Sequence, residues 1–279
     1  MIRDTSIASK LWITAVWVLT AFFVINVLAT IAAVVLSSFG TRWLGTWIPE
    51  AFTIKWYASA WQEFQLSRVL LTTFQIVFTV VLLSGLLGVT AAYAMARRDF
   101  PGKRLVMLIF LLPLLVPPIT FGIPLTTVLY KFDVGGTFWG VVLANLVPTV
   151  PFVILVMIPF IEQIDPKIEA AARVFGAGTF RLFIHVLLPM LIPGILASLL
   201  LVLVRTVGMF ELTFFTAGPT TQTLVVALYY SVFAAGVRSV QSIDAMAVIY
   251  MVTTLIWLLI ALRFVNPTQI VARTRQASH

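Results

Sequence analysis

The sequence predicts an all-α integral membrane protein, a bundle of six transmembrane helices, on three observations. Hydrophobic residues make up 61% of the 279 residues, charged residues only 10%, and mean hydropathy is +1.08. A water-soluble domain would be about a quarter charged. Six segments, near 11–37, 68–95, 105–129, 138–161, 187–209 and 241–264, each supply the roughly 20 mainly apolar residues that cross a bilayer. Outer-membrane barrels need short segments of alternating hydrophobicity, and the sequence lacks them, so helices are the spanning element.

The first segment follows MIRDTSIASK. Its apolar stretch exceeds the roughly 7–15 residues of a signal-peptide core, so it reads as a retained first helix. Residues 39–66 carry Trp43, Trp47, Trp56, Tyr57 and Trp61. They suit either an amphipathic segment at the membrane interface, where indole rings are favoured, or an aromatic contact surface for an external protein. The third to fifth segments hold Pro113, Pro117, Pro118 and Pro124, then Pro148 and Pro151, then Pro189 and Pro193. Each proline removes a backbone donor and tends to kink its helix. Kinked helices can line a gated pathway or simply pack. Thr120, Asn145 and Thr149 stand beside these prolines as candidate pathway residues.

At and just after the end of the fifth segment, Arg205 and Glu211 are costly inside a bilayer and should face protein or water. Either they neutralise each other or Glu211 lines a pathway. The run Ala217-Gly218-Pro219 then breaks the chain ahead of a short apolar helix from Leu224 to Ala235, as in a re-entrant segment.

The net charge of +8 and pI near 10.2 are topological. Arg3, Lys10, Arg97, Arg98, Lys103, Arg104, Lys167, Arg173, Arg181, Arg263, Arg273 and Arg275 fall on one side. Arg42, Lys55, Arg68, Lys131, Arg205 and Arg238 fall on the other side or in the membrane. The richer side is cytoplasmic by the positive-inside rule, which places both termini and residues 162–186 there and leaves no need for nucleic acid. There is no cysteine, and the only histidines are His185 and His279. No catalytic residue and no metal site is therefore expected, and no GxxxxGK[ST] phosphate loop is present.

The polar stretch Asp165–Pro193 stands apart from this apolar background. Asp165 can cap a helix that starts at Pro166, where a missing N–H costs nothing. Glu169 and Arg173, four apart, are placed for a helical ion pair. Gly176 and Gly178 permit a left-handed or tight turn, and Thr179 can cap a second helix. A helix, a turn and a helix outside the bilayer suit docking to a soluble partner.

These residues carry a resemblance. Ala171-Ala172-Arg173, Gly176-Ala177 and Pro189, thirteen residues after Gly176, resemble the EAA loop of type I ABC importer permeases. The motif's acidic position falls on Ala170, with Glu169 one place early, and Gly178 replaces a small hydroxyl residue. The broader likeness covers about residues 67–263 of a single transmembrane domain, 1–279, with the coupling loop near 162–186. The resemblance implies an ATPase-coupling role for Glu169, Ala171, Ala172, Arg173, Gly176, Ala177, Gly178 and Pro189. It also implies a bacterial inner-membrane subunit paired with a second permease subunit, identical or paralogous. The expected partners are two ATPase subunits, which carry ATP and Mg, and an external substrate-binding protein; this chain binds no cofactor. The cargo is expected to be a small polar solute. The ELTFFTAGP stretch is similar to polyamine and ferric-iron permeases, so polyamine-like cations come first and sugars, phosphonates and ferric iron stay open. A secondary transporter is the alternative from another class, although it would usually show repeated halves.

Overall fold

The computed structural model describes residues 7–41, 43, 46, 48–233 and 239–264. Trp47, Arg3, Arg42, Arg238, Arg273, Arg275, His279 and both termini lie outside the described residues. Among the described residues all regular structure is helical, with two isolated β-bridges.

Among the described residues, five helices or joined helices are long and apolar enough to cross a membrane: Ser9–Phe39, Leu66–Arg97, Phe138–Glu162, Thr179–Val207 and Val240–Ile260. They correspond to α1 (Ile7–Phe39), α3 (Leu66–Arg97), α6 (Phe138–Glu162), the stretch through α9 (Leu188–Val207), and α12 (Val240–Phe264). The span expected at 105–129, with its helix kinked by proline, is two helices, α4 (Lys103–Leu115) and α5 (Pro118–Lys131), bent by 104°. Pro117 and Pro118 offer no N–H, and the ring of Pro117 holds Val116 extended at φ −87°, ψ 133°. Counted as one broken span, the pair makes six. By contrast α6 runs unbroken through Pro148, Pro151 and Pro159.

The chain divides into two compact units. In residues 1–65 with 231–251, α1 turns into the short α2 (Lys55–Glu63). Trp56 Nε1 donates to the Gly40 carbonyl at 2.7 Å, and the Tyr57 and Ser38 hydroxyls lie 2.8 Å apart. Trp43 Nε1 donates to Thr46 O at 2.6 Å. Three of the ring-bearing residues between 39 and 66 thus tie this segment together, while Trp61 is exposed. Ser37 Oγ donates to Asp244, and Ser242 Oγ to Glu63 at 3.3 Å.

In residues 66–230 with 252–279, α3, α6 and α9 pack on one another. Their core is Val89, Ala92, Val153, Ile154, Met157, Ile161 and Leu191. Gly88 allows this approach, since a Cβ there would lie 2.5 Å from Val153 Cβ. Small residues at such crossings gain close backbone packing, the main attraction available between helices in lipid.

Candidate functional site

The polar loop forms α7 (Pro166–Val174) and α8 (Thr179–Leu182). Asp165 Oδ1 accepts the Lys167 N–H at 2.9 Å, capping α7 with Pro166 at its first position. Glu169 does not pair with Arg173. Its Oε1 accepts from Arg97 Nε at 2.7 Å and its Oε2 from the Tyr93 hydroxyl at 2.7 Å. Arg97 Nη2 also donates to Ile164 O at 2.6 Å. The side chains of Arg97 and Glu169 are only 13% and 10% exposed. Both carboxylate oxygens are therefore engaged inside the chain, fastening α7 to the last turns of α3. Ala172 and Ala177 are half-buried against the α3–α6–α9 core, whereas Ala171 and Arg173 are exposed. The reason for the correction is competition: Arg97 and Tyr93 of α3 take both Glu169 oxygens, and the exposed Arg173 interacts with Tyr93 instead.

Gly176 takes φ +83°, with its N–H on Arg173 O at 2.9 Å and the Ala177 N–H on Ala172 O at 3.0 Å. Only glycine adopts that left-handed backbone freely. Gly178 has φ −67° and itself occupies the cap position of α8. The cap expected from Thr179 is absent because Thr179 is already the first helical residue. A π-helical turn, Phe183–Leu187, links α8 to α9. It lies directly before Pro189, which has no N–H to continue the regular ladder. Pro189 is exposed near the start of α9.

The candidate pathway residues part company. Asn145, 1% exposed on α6, donates from Nδ2 to Val141 O at 2.9 Å and to Thr213 Oγ1 at 3.2 Å. Its Oδ1 is buried without a hydrogen-bond partner. The buried Thr149 hydroxyl donates to Asn145 O at 2.8 Å. Thr120 is exposed on α5 and is not brought to this pair. Arg205 and Glu211 form no ion pair. Arg205 lies 5.6 Å from the centre of the Phe152 ring, a cation–π distance. The chain breaks at Gly208 between α9 and α10 (Glu211–Thr216), so the two side chains do not meet across a common helix face.

After α10 the expected break at Ala217-Gly218-Pro219 is present, and α11 (Leu224–Phe233) follows. Thr216 O accepts the Gly136 N–H at 2.9 Å, and Thr221 Oγ1 donates to Gly136 O at 3.1 Å. Thr73 Oγ1 accepts the Leu224 N–H at 2.8 Å. Sequence reasoning missed Thr73, Thr213, Tyr93 and Arg97 as structural partners. For the last two a signal existed: Tyr93 and Arg97 are four apart, so one helix face of α3 presents both donors.

Residues 84–273 match the family model described as binding-protein-dependent transport system inner membrane component. The chain is 31% identical over 150 residues to the diacetylchitobiose uptake system permease protein NgcG of Streptomyces coelicolor, covering 54% of this chain and 50% of that protein. It is 33% identical over 160 residues to the molybdenum transport system permease protein ModB of Haemophilus influenzae, covering 51% and 69%. It is 31% identical over 153 residues to the sulfate transport system permease protein CysT of Escherichia coli, covering 50% and 55%. The chain thus spans about half the length of NgcG and of CysT.

Among solved structures, a bacterial ABC transporter involved in the import of the acidic polysaccharide alginate matches with a TM-score of 0.77 at 16% identity, over 94% of this chain and 99% of that one. The inward-facing methionine ABC transporter MetNI matches with a TM-score of 0.53 at 18% identity, over 70% and 90%. At these identities the likeness is one of fold, and the fold is that of ABC importer permeases. The chain belongs to the family of binding-protein-dependent transport system inner membrane components.

Proposed function

We propose that this multi-pass protein is the permease subunit of an ABC importer that passes a small polar solute by alternating access. The observation that carries the proposal is the α7–α8 loop. It is helical and largely exposed, yet tied to α3 by the Glu169 carboxylate. A motion imposed on such a loop reaches the spanning core directly, because α3 packs on α6 and α9. A separate ATPase subunit, holding ATP and Mg, would impose that motion by binding one arrangement of the bundle better than the other. A second permease subunit, identical or paralogous, would complete the pathway. An external binding protein would deliver the solute.

The polyamine preference is not carried forward. Relatives named for diacetylchitobiose, molybdenum and sulfate differ too much in charge to favour a cation. Arg205 and Glu211 offer one charge of each sign with no pair between them, so this region favours neither. The proposal stops at a small polar solute. With the EAA-like loop on the cytoplasmic side, as the basic-residue asymmetry requires, position 175 would be reachable from the cytoplasm alone.

Reconstitution tests the proposal. The chain is placed in proteoliposomes with its co-purifying ATPase and with a binding protein, and ATP-dependent solute uptake is measured. Uptake driven by an ion gradient without any ATPase would refute it in favour of a secondary transporter.

A further inference from the structure

We infer that the groove between α3 and the α8–α9 stretch seats one acyl chain of a membrane phospholipid, with the headgroup phosphate on Arg181, and that the seated chain steadies the α3–α7 junction. The inference goes beyond the importer reading and does not depend on it. The groove encloses about 280 Å3, with Leu82, Leu86 and Thr90 on one wall and Phe183, Ile184 and Leu199 on the other. Both walls belong to stretches long and apolar enough to cross a bilayer, so hydrocarbon surrounds it. Thr90 brings the only polar side chain of the lining. Its hydroxyl already donates back to Leu86 O at 2.8 Å and to Leu87 O at 3.0 Å. A bound water needs several polar partners, which this lining does not offer, whereas an apolar cavity of about 150 Å3 stays dry and takes up benzene.

The charge at the mouth selects a lipid. Arg181 stands one turn before Ile184 and so shares the groove's face. It is exposed, and among the described residues it is in no ion pair. Of the acids in the adjoining loop, Glu169 is held by Arg97. Glu162 and Asp165 precede the first residue of α7, at its far end from α8. A dry slot with a cation at its mouth matches the two ends of a phospholipid, hydrocarbon and phosphate. Phe183 carries the consequence. Its ring lines the groove and meets the Tyr93 ring edge-on at 5.8 Å, and the Tyr93 hydroxyl donates to Glu169. A chain packed against Phe183 restricts that ring and, through Tyr93, the junction. An apolar side chain of a partner subunit is the competing occupant; it would fill the slot and leave Arg181 without an anion.

The test uses the full-length chain, with the subunits that co-purify with it, in nanodiscs of phosphatidylglycerol bearing a photoactivatable diazirine on one acyl chain. After illumination and digestion, label should concentrate severalfold on residues 82–90 and 183–199 over Leu105, Leu108 and Leu112 of α4, which are comparably exposed apolar side chains. Leu86→Trp and Thr90→Phe, both at exposed positions, should fill the slot and abolish the excess without moving the thermal midpoint. Arg181→Gln should lower the excess by about fivefold and leave the label on α4 unchanged. Amide exchange of residues 166–174 should slow when phosphatidylglycerol is returned to delipidated wild-type protein, and should not respond in Leu86→Trp. Equal labelling of groove and α4, or a wild-type groove without label, as a partner's side chain would produce, would overturn the site. So would an excess that survives both filling variants. An exchange response identical in wild type and Leu86→Trp would overturn the link to α7 while leaving the site standing.

Discussion

Replacing Glu169 with glutamine removes one charge from the α3–α7 junction and keeps the shape of the side chain. Arg97 would then sit 13% exposed with Ile164 O, at 2.6 Å, as its retained neutral acceptor. Breaking a buried ion pair from one side costs about 3–5 kcal/mol. The glutamine oxygen can still accept from Arg97, which brings the cost nearer about 2–3 kcal/mol. The loss falls on the docking of α7 rather than on the helix ladder. Amide exchange of residues 166–174, followed by mass spectrometry in nanodiscs, should therefore accelerate by about 30–150-fold. Tyr93→Phe, which removes one hydrogen bond to the carboxylate, should act in the same direction by about 1.5–3 kcal/mol. Combining Glu169→Gln with Arg97→Gln should recover part of the protection, giving a positive coupling in the double-mutant cycle. In transport, Glu169→Gln should leave ATP hydrolysis running while uptake falls, since α7 would move without carrying α3. Unchanged exchange in α7, or a double variant worse than the sum of the single ones, would refute the latch.

Other consequences are equally direct. Gly176→Ile should reduce uptake by imposing backbone strain of about 1–2 kcal/mol or more at φ +83°; Gly176→Asn should be tolerated better, and equal transport by both variants would remove the argument. Gly88→Val should lower the thermal midpoint, because its Cβ would press on Val153 at 2.5 Å, an overpacking worth about 1–3 kcal/mol; an unchanged midpoint would contradict the close α3–α6 approach. For Arg205→Gln and Glu211→Gln, thermal stabilities should add within about 0.5 kcal/mol; a larger coupling would restore the ion pair that the structure lacks.

The local features were legible in the sequence because local chemistry decides them. Twenty apolar residues in a row cross a bilayer whatever their neighbours. The Asp165-Pro166 start and the glycine at the left-handed Gly176 position answer to backbone rules that operate within a few residues. Pro117-Pro118 announced an interruption of the third span by the same rules. The 104° turn depended on what the two halves pack against, and it was not legible.

Partner choice lay beyond the sequence. Arg173, four residues from Glu169, was the locally available cation, and yet the carboxylate meets Arg97, 72 residues away. Asn145 likewise meets Thr213 and Leu224 meets Thr73 across separations of 68 and 151 residues. Arg205 and Glu211, only six apart, do not meet at all. Which side chains meet is decided by which faces of α3, α6, α7 and α10 are turned toward one another. Those rotations follow from packing the whole core, and helical periodicity within any one segment does not contain them.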